Sequence, residues 1–367
     1  GRCTARGSLV RDDDHGVPKH FVAEFVALLY EANGGNLGEY VKELCLNSEN
    51  IYVRTVGAKK SIPSYMQEAV EAELDVLQEV SALDKETLCA PLKYSGFLPD
   101  FTTTKLHLKD IYMHRAENIE KYGYGIYAKH KMFYVDEGGC IVPVLHPDKT
   151  KLSNLVDYER ERQIVIDNTK ALLAGKPAAN ILLAGDAGTG KSSTVKAVAN
   201  ALWGEGLRII EMRKDQLRSI PKVLDELSSN PLKFIMFIDD LSFLKDDDNF
   251  NALKAVLEGS VTAKSNNVVI YATSNRRHLI RESFADREGD DIHRNDTIQE
   301  TMSLSSRFGL TILFNKPAKP QFLEIVRSLA EAKGIDMDPE ELEKQASAFA
   351  IRKGGATPRA AEQFTNS

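Results

Sequence analysis

The sequence is short of several things, and each shortage excludes something. It holds one tryptophan and four cysteines in 367 residues. The cysteines, Cys3, Cys45, Cys89 and Cys140, are far apart and none falls in a C-x-x-C pair. That spacing argues against a disulfide framework and against a cysteine-based metal site. Reduced thiols in a cytoplasmic protein are the expectation. No apolar run approaches the roughly 20 residues that a membrane-spanning helix needs. The first sixteen residues, GRCTARGSLVRDDDHG, lack the apolar core of a signal peptide and read as a polar terminus. Positive charge is not in excess either. The formal net charge is −6, so no global basic field points to nucleic acid.

What is present is the composition of a globular chain, with 43% hydrophobic and 27% charged residues. The length suits two domains, or one with a large extension. The most informative stretch is Ile181–Lys196, ILLAGDAGTGKSSTVK. Ile181–Ala184 read as a short buried strand, and Val195, Val198, Ala199 and Leu202 recur at helical spacing. Between them, Gly185, Gly188, Gly190, Lys191 and Ser192 fit G-x-x-x-x-G-K-[ST], the phosphate-binding P-loop. A polyphosphate needs donors from several directions at close range. Glycines let backbone N–H groups turn inward, and a helix N-terminus adds unpaired N–H groups and partial positive charge. The candidate nucleotide-binding residues are therefore Gly185, Asp186, Ala187, Gly188, Thr189, Gly190, Lys191, Ser192 and Ser193. Lys191 is expected at the β- and γ-phosphates and Ser192 on Mg²⁺.

From Ile181 onward, strand-like runs recur at Ile181–Ala184, Leu207–Met212, Phe234–Ile238, Val268–Thr273 and Leu310–Phe314, and helical stretches separate most of them. Strands apolar on both faces, alternating with helices, predict a parallel sheet covered by helices. Right-handed crossovers then bring every strand's C-terminal end to one edge. Three features converge there. Asp239 and Asp240 follow an apolar strand, the Walker B arrangement, with Asp239 expected in the Mg²⁺ shell together with Ser192. Ser274 and Asn275 follow the next strand, where an uncharged side chain reaches a γ-phosphate or an attacking water. Arg307, in Ser306-Arg307-Phe308, precedes the last strand and is placed to act on a neighbouring subunit as an arginine finger, or to form an internal salt bridge. Arg276, Arg277 and His278 read as a solvated face or as partners of Asp246–Asp248. Residues 283–298 read as a charged surface loop. Late in the chain, Pro358 and Arg359 fit a helix start whose first turn reaches back to phosphate.

The N-terminal part carries no comparable motif. Helices are predicted from Val17, with Phe21, Phe25 and Leu28 on one face, then around Leu37–Leu44, and over Pro63–Val80 with Met66, Val70, Leu74 and Leu77 aligned. Gly125–Lys129, Lys131–Val135 and Cys140–Val144 read as strands, the last two joined by a Gly138-Gly139 turn. Tyr122, Tyr124, Tyr127, Phe133 and Tyr134 interleave with Lys121, Lys129, His130 and Lys131. A packed antiparallel sheet is the favoured reading, and a base-stacking surface for single-stranded nucleic acid the other. Residues 147–154, PDKTKLSN, form a polar hinge. Leu155–Leu173 beyond it is read as a helix. The expected division is 1–150 as a mixed α+β N-terminal domain, 151–316 as the ATPase core and 317–367 as a helical lid.

Taken together, GDAGTGKS, FIMFIDD, YATSN, SSRF and the late Pro-Arg pair, in that order, resemble the AAA+ ATPases over about residues 150–367. DDLSF, LKAVLEG, YATSNRRHLI and SLSSRFGL are similar to one bacterial AAA+ group, domain of unknown function 815. The resemblance implies an α/β fold with a five-stranded parallel αβα P-loop core and a small C-terminal helical lid. It implies Mg²⁺-dependent ATP hydrolysis with Lys191, Asp239, Asp240, Asn275, Arg307 and Arg359 at the catalytic centre, Asn275 and Arg359 as sensors and Arg307 as the finger. It implies ATP and ADP as ligands and a homo-oligomer, with a hexamer as one candidate ring. Asp240 departs from the common glutamate, which keeps open a low-turnover, ATP-gated switch or loader that recruits a protein or DNA partner. The resemblance names no client.

Overall fold

The computed structural model describes residues 19–90, 97–242, 248–258, 266–275 and 306–367. The chain divides into two compact units. One takes the chain up to Tyr52 together with Ser61–Glu117, and the other takes Val53–Lys60 with Asn118–Ser367.

The described part of the first unit is helical. It contains α1 (Lys19–Asn33), α2 (Leu37–Asn47), the start of α3 (Ile51–Gly57), α4 (Ser64–Ser81), α5 (Lys85–Cys89) and α6 (Leu108–Glu117). Asn36 starts α2 by accepting the Glu39 amide at 3.0 Å on its side chain. The buried stripe of α1 is Val22, Val26 and Leu29, whereas Phe21 and Leu28 are exposed. Of the face expected of that helix only Phe25 is half-buried, its ring edge-on to the buried Phe101 at 5.7 Å. Leu74 of α4 packs inward as the spacing predicts. The two strands expected within residues 1–150 fall in the second unit.

Those strands are β1 (Met132–Val135) and β2 (Ile141–Pro143), paired antiparallel with Val135 opposite Ile141. β1 also pairs in parallel with β4 (Leu207–Met212), setting Phe133 opposite Ile210. The hairpin predicted before the polar hinge therefore forms the edge of the principal sheet. Gly125–Lys129, read as a strand, is instead the short helix α8 (Ile126–Lys129), after α7 (Ile119–Tyr122). Gly123 and Gly125 flank this stretch with φ of 68° and 60°, so the chain turns where it was expected to extend. Tyr124, Tyr127 and Phe133 are buried, which removes three of the five aromatics from any base-stacking surface.

The sheet order is β2-β1-β4-β5-β6-β3-β7. The five strands read from the sequence are β3 (Ile181–Gly185), β4, β5 (Lys233–Ile238), β6 (Val268–Ser274) and β7 (Leu310–Phe314). All five run parallel. Their residues alternate between two buried layers, which is why the runs look uniformly apolar. Leu182, Ile210, Met236 and Ile270 pack with α11 (Ile220–Leu227) and α12 (Asp248–Glu258). Leu183, Ile209, Phe237 and Tyr271 pack with α9 (Glu159–Leu173) and α10 (Lys191–Leu202). The C-terminal helices α13 (Lys319–Ala332), α14 (Pro339–Arg352) and α15 (Pro358–Thr365) close around their own core of Phe322, Ile325, Val326, Ala346 and Ala361. Among the described residues no helix is long and apolar enough to cross a membrane.

Candidate active site

The site is assembled at the C-terminal ends of β3, β5 and β6. Gly185 ends β3 opposite Phe314 of β7, with φ of 139°. A Cβ there would lie 2.1 Å from the Phe314 carbonyl oxygen, so only glycine lets the two backbones approach. The loop that follows is braced from within. The Thr189 hydroxyl donates to the Asp186 carbonyl at 2.8 Å, and Asp186 Oδ2 accepts the Lys316 amide at 2.9 Å. Gly190, with φ of 88°, hands the chain to α10. The amides of that helix's first turn have no intrahelical acceptor and favour an anion.

Lys191 is almost fully buried. Its ammonium donates to the Gly185 and Asp186 carbonyls at 3.1 and 2.6 Å and to Asn275 Oδ1 at 3.1 Å. Burial holds its pKa below the ordinary value. Asp186, Asp239 and Asp240 pull the other way, and the charge of Arg359 adds to the depression. Desolvation thus outweighs the nearby carboxylates, and an anionic ligand would add to their side.

Ser192 Oγ donates to Asp239 Oδ1 at 2.6 Å, although 47 residues separate them. Thr273 of β6 donates its hydroxyl to the same oxygen at 2.5 Å and accepts the Asp240 amide at 2.9 Å. Asn275 Nδ2 donates to Asp240 Oδ1 at 2.7 Å. Lys191, Ser192, Asp239, Asp240 and Asn275, named from the sequence, therefore share one hydrogen-bonded network. Ser274 is buried in the sheet, and Asn275 one residue later is exposed and reaches the network.

Two features of this network were not read from the sequence. Thr273 joins both aspartates, a role set by the register that aligns the end of β6 with β3 and β5. Asp240 has φ of 50°, in the left-handed region. Asp and Asn tolerate that region far better than longer side chains do, which gives a backbone reason for aspartate where glutamate is common.

The donor set suits a hard cation. Ser192 Oγ and Asp239 Oδ1 are neighbouring oxygens, the ligand type Mg²⁺ prefers. Among the described residues no group of three His, Cys, Asp or Glu could hold a metal alone.

The two arginines are placed differently. Arg359 sits in the first turn of α15, and its amide donates to the Gly188 carbonyl at 3.1 Å. Thr357 caps that helix by accepting the Ala360 amide at 3.2 Å. Arg307 is away from the network. Its guanidinium pairs with Glu258 at 2.5 Å, the internal salt bridge held open as the other reading of this residue. Beside the phosphate loop, a cavity of about 120 Å³ lies between Tyr158, Gly190, Thr194, Leu329 and Arg359. Leu155–Tyr158, expected to begin helix α9, instead precede it and line this cavity. Arg276, Arg277, His278, Asp246, Asp247 and residues 283–298 lie outside the described residues, as does the side chain of Asp248.

No curated protein matches the chain. Among solved structures it is similar to the Thermotoga maritima RuvB Holliday junction branch migration motor, with a TM-score of 0.40 and 17% identity, covering 59% of this chain and 63% of that one. A mutant of the same RuvB matches with a TM-score of 0.41 and 17% identity, over 59% of this chain and 64% of that one. The chain thus spans less than two thirds of the length of these structures. Residues 128–367, more than half of the chain, match the family described as "Protein of unknown function (DUF815)". The chain belongs to the DUF815 family.

Proposed function

We propose that the chain binds ATP with Mg²⁺ at the P-loop and hydrolyses it, coupling nucleotide state to the helical lid and to neighbouring subunits of a homo-oligomer. One observation carries this reading. The P-loop lysine and serine, the strand-end aspartates and Asn275 form a single hydrogen-bonded network. In that reading Lys191 turns from its own loop carbonyls to the β- and γ-phosphates. Ser192 and Asp239 would hold the metal, which would supply neutralisation of charge developing on the phosphates. Asp240 orients the attacking water, Asn275 senses the γ-phosphate, and Thr273 keeps the Asp239 carboxylate aimed while holding the Asp240 backbone. Arg359 reports nucleotide to the lid, since α15 is tied to the loop through Gly188. Arg307 acts on the neighbouring subunit's nucleotide. The cytoplasm is the compartment this reading expects.

A second reading rests on Asp240. Its carboxylate is short and already engaged by Asn275, which suits a chain that binds and assembles on ATP but turns over slowly. Its client is a protein or a DNA partner.

Phosphate release from saturating ATP with Mg²⁺, measured on assembled protein, is the test. Wild type should turn over and Lys191→Ala should lose turnover by at least about a hundredfold, as removal of a transition-state charge contact does. Equal, negligible turnover in both removes the hydrolase reading. Tight ATP binding and ATP-dependent assembly without turnover select the switch.

A further inference from the structure

Among the described residues, one buried side-chain polar atom has no hydrogen-bond partner: Oδ2 of Asp157. Dehydrating a carboxylate oxygen without a donor is costly, and such orphans are rare. This one belongs to a residue that lines the cavity beside the phosphate loop. A second, independent feature marks the same place. Asp157 and Tyr158 are consecutive and both left-handed, with φ of 69° and 61°. Neither is glycine, so the surrounding structure must impose the conformation.

What imposes it is visible. The Tyr158 hydroxyl donates to the Asn315 carbonyl at 2.5 Å, and its ring packs on Phe314 with centroids 5.1 Å apart. Gln321 of α13 donates its side-chain amide to Asp157 Oδ1 at 2.7 Å. One carboxylate oxygen is thereby tied to the lid, and the other is held dry and without a donor.

We propose that Asp157 is a base-selecting residue, whose Oδ2 accepts a hydrogen bond from the 6-amino group of an adenine nucleotide. The proposal rests on the nucleotide reading above, with the triphosphate in the P-loop and the base in the adjoining cavity. A carboxylate oxygen accepts, so the ligand must supply the donor. Adenine carries an amino group at position 6. Hypoxanthine and guanine carry a carbonyl oxygen there, which sets lone pair against lone pair. A site built around one polar contact rejects analogues that lack it more strongly than an apolar pocket does. Because Oδ2 is enclosed, the base reaches it as α13, which carries Gln321, eases off the cavity.

The test is direct binding of ATP, ITP and GTP, with Mg²⁺, to the full chain by calorimetry. Wild type should bind ATP at least about tenfold more tightly than ITP or GTP, the loss expected for a hydrogen bond to a charged group. Asp157→Asn should fold, since asparagine also tolerates left-handed backbone. Its amide can turn a donor to a 6-carbonyl, so the ATP-to-ITP ratio should fall to within about threefold. Comparable ATP and ITP affinities in wild type, tighter GTP than ATP, or an unchanged ratio in Asp157→Asn each overturn the assignment while leaving triphosphate binding intact. Failure of folded wild type to bind any of the three removes the nucleotide reading and this proposal with it. The wild-type ratio decides the matter even if the variant does not fold.

Discussion

At the scale of single residues, Lys191 sets binding against stability. Its charge is held in a buried position that depresses its pKa, so the protonated lysine costs the folded state free energy. That cost is fully present below the lowered pKa and is lifted as pH rises toward the ordinary 10.5. Lys191→Met should abolish nucleotide binding and yet melt at or above wild type at neutral pH. Its advantage should shrink as the pH approaches that ordinary value. Thermal melts of the ligand-free proteins at two pH values check this, and a variant that melts several degrees below wild type at pH 7 contradicts it. Asp240 carries the complementary lesson. Asp240→Glu restores the common residue but forces a longer side chain onto left-handed backbone, at roughly 1 kcal/mol, and disturbs the bond from Asn275. Turnover should fall rather than rise. The P-loop and strand-end residues were legible in the sequence because the motif fixes their spacing. Thr273 and Asp157 were not, because one depends on alignment between strands and the other on a backbone angle and an unpaired atom.

At the scale of elements, the five parallel strands could be read because burial on both faces leaves a continuous apolar run. The hairpin could be read too, from its aromatic and β-branched residues and its glycine turn. Its place could not, because which edge a strand joins is decided by partners far along the chain. β1 lies against β4, with Met132 opposite Ile209, 77 positions later in the chain. The consequence is measurable. Phe133 is 1% exposed within the sheet's core, so Phe133→Ala should destabilise the P-loop unit by about 3–5 kcal/mol. Tyr134, on the opposite face and 45% exposed, should cost about 0.5 kcal/mol or less as Tyr134→Ala. Denaturant unfolding followed by a probe in the P-loop unit distinguishes the two. If both variants unfold like wild type, the hairpin does not belong to the cooperative core. The outward face of α1 misled for a simpler reason. Phe21, Phe25 and Leu28 recur at helical spacing just as Val22, Val26 and Leu29 do, and spacing alone cannot say that the second stripe is the fully covered one while Phe25 of the first is half-covered by Phe101.

At the scale of the whole molecule, Arg307 decides whether one chain makes a complete site. Within the chain its guanidinium is paired with Glu258, away from the network around Lys191. The ion pair by itself, partly exposed, contributes about 0–1 kcal/mol. If it acts instead on a neighbour's nucleotide, Arg307→Ala should fold normally and lose turnover, and the loss should be complementable. Lys191→Ala destroys a subunit's own site but leaves its arginine intact, while Arg307→Ala does the reverse. In an equal mixture that assembles at random in a head-to-tail ring, about a quarter of interfaces join an intact site to an intact arginine. Two proteins that are each inactive alone should therefore recover up to that share of wild-type turnover when mixed. No recovery, with assembly of the mixture confirmed by sedimentation, would make Arg307 a structural residue and return the whole site to a single chain.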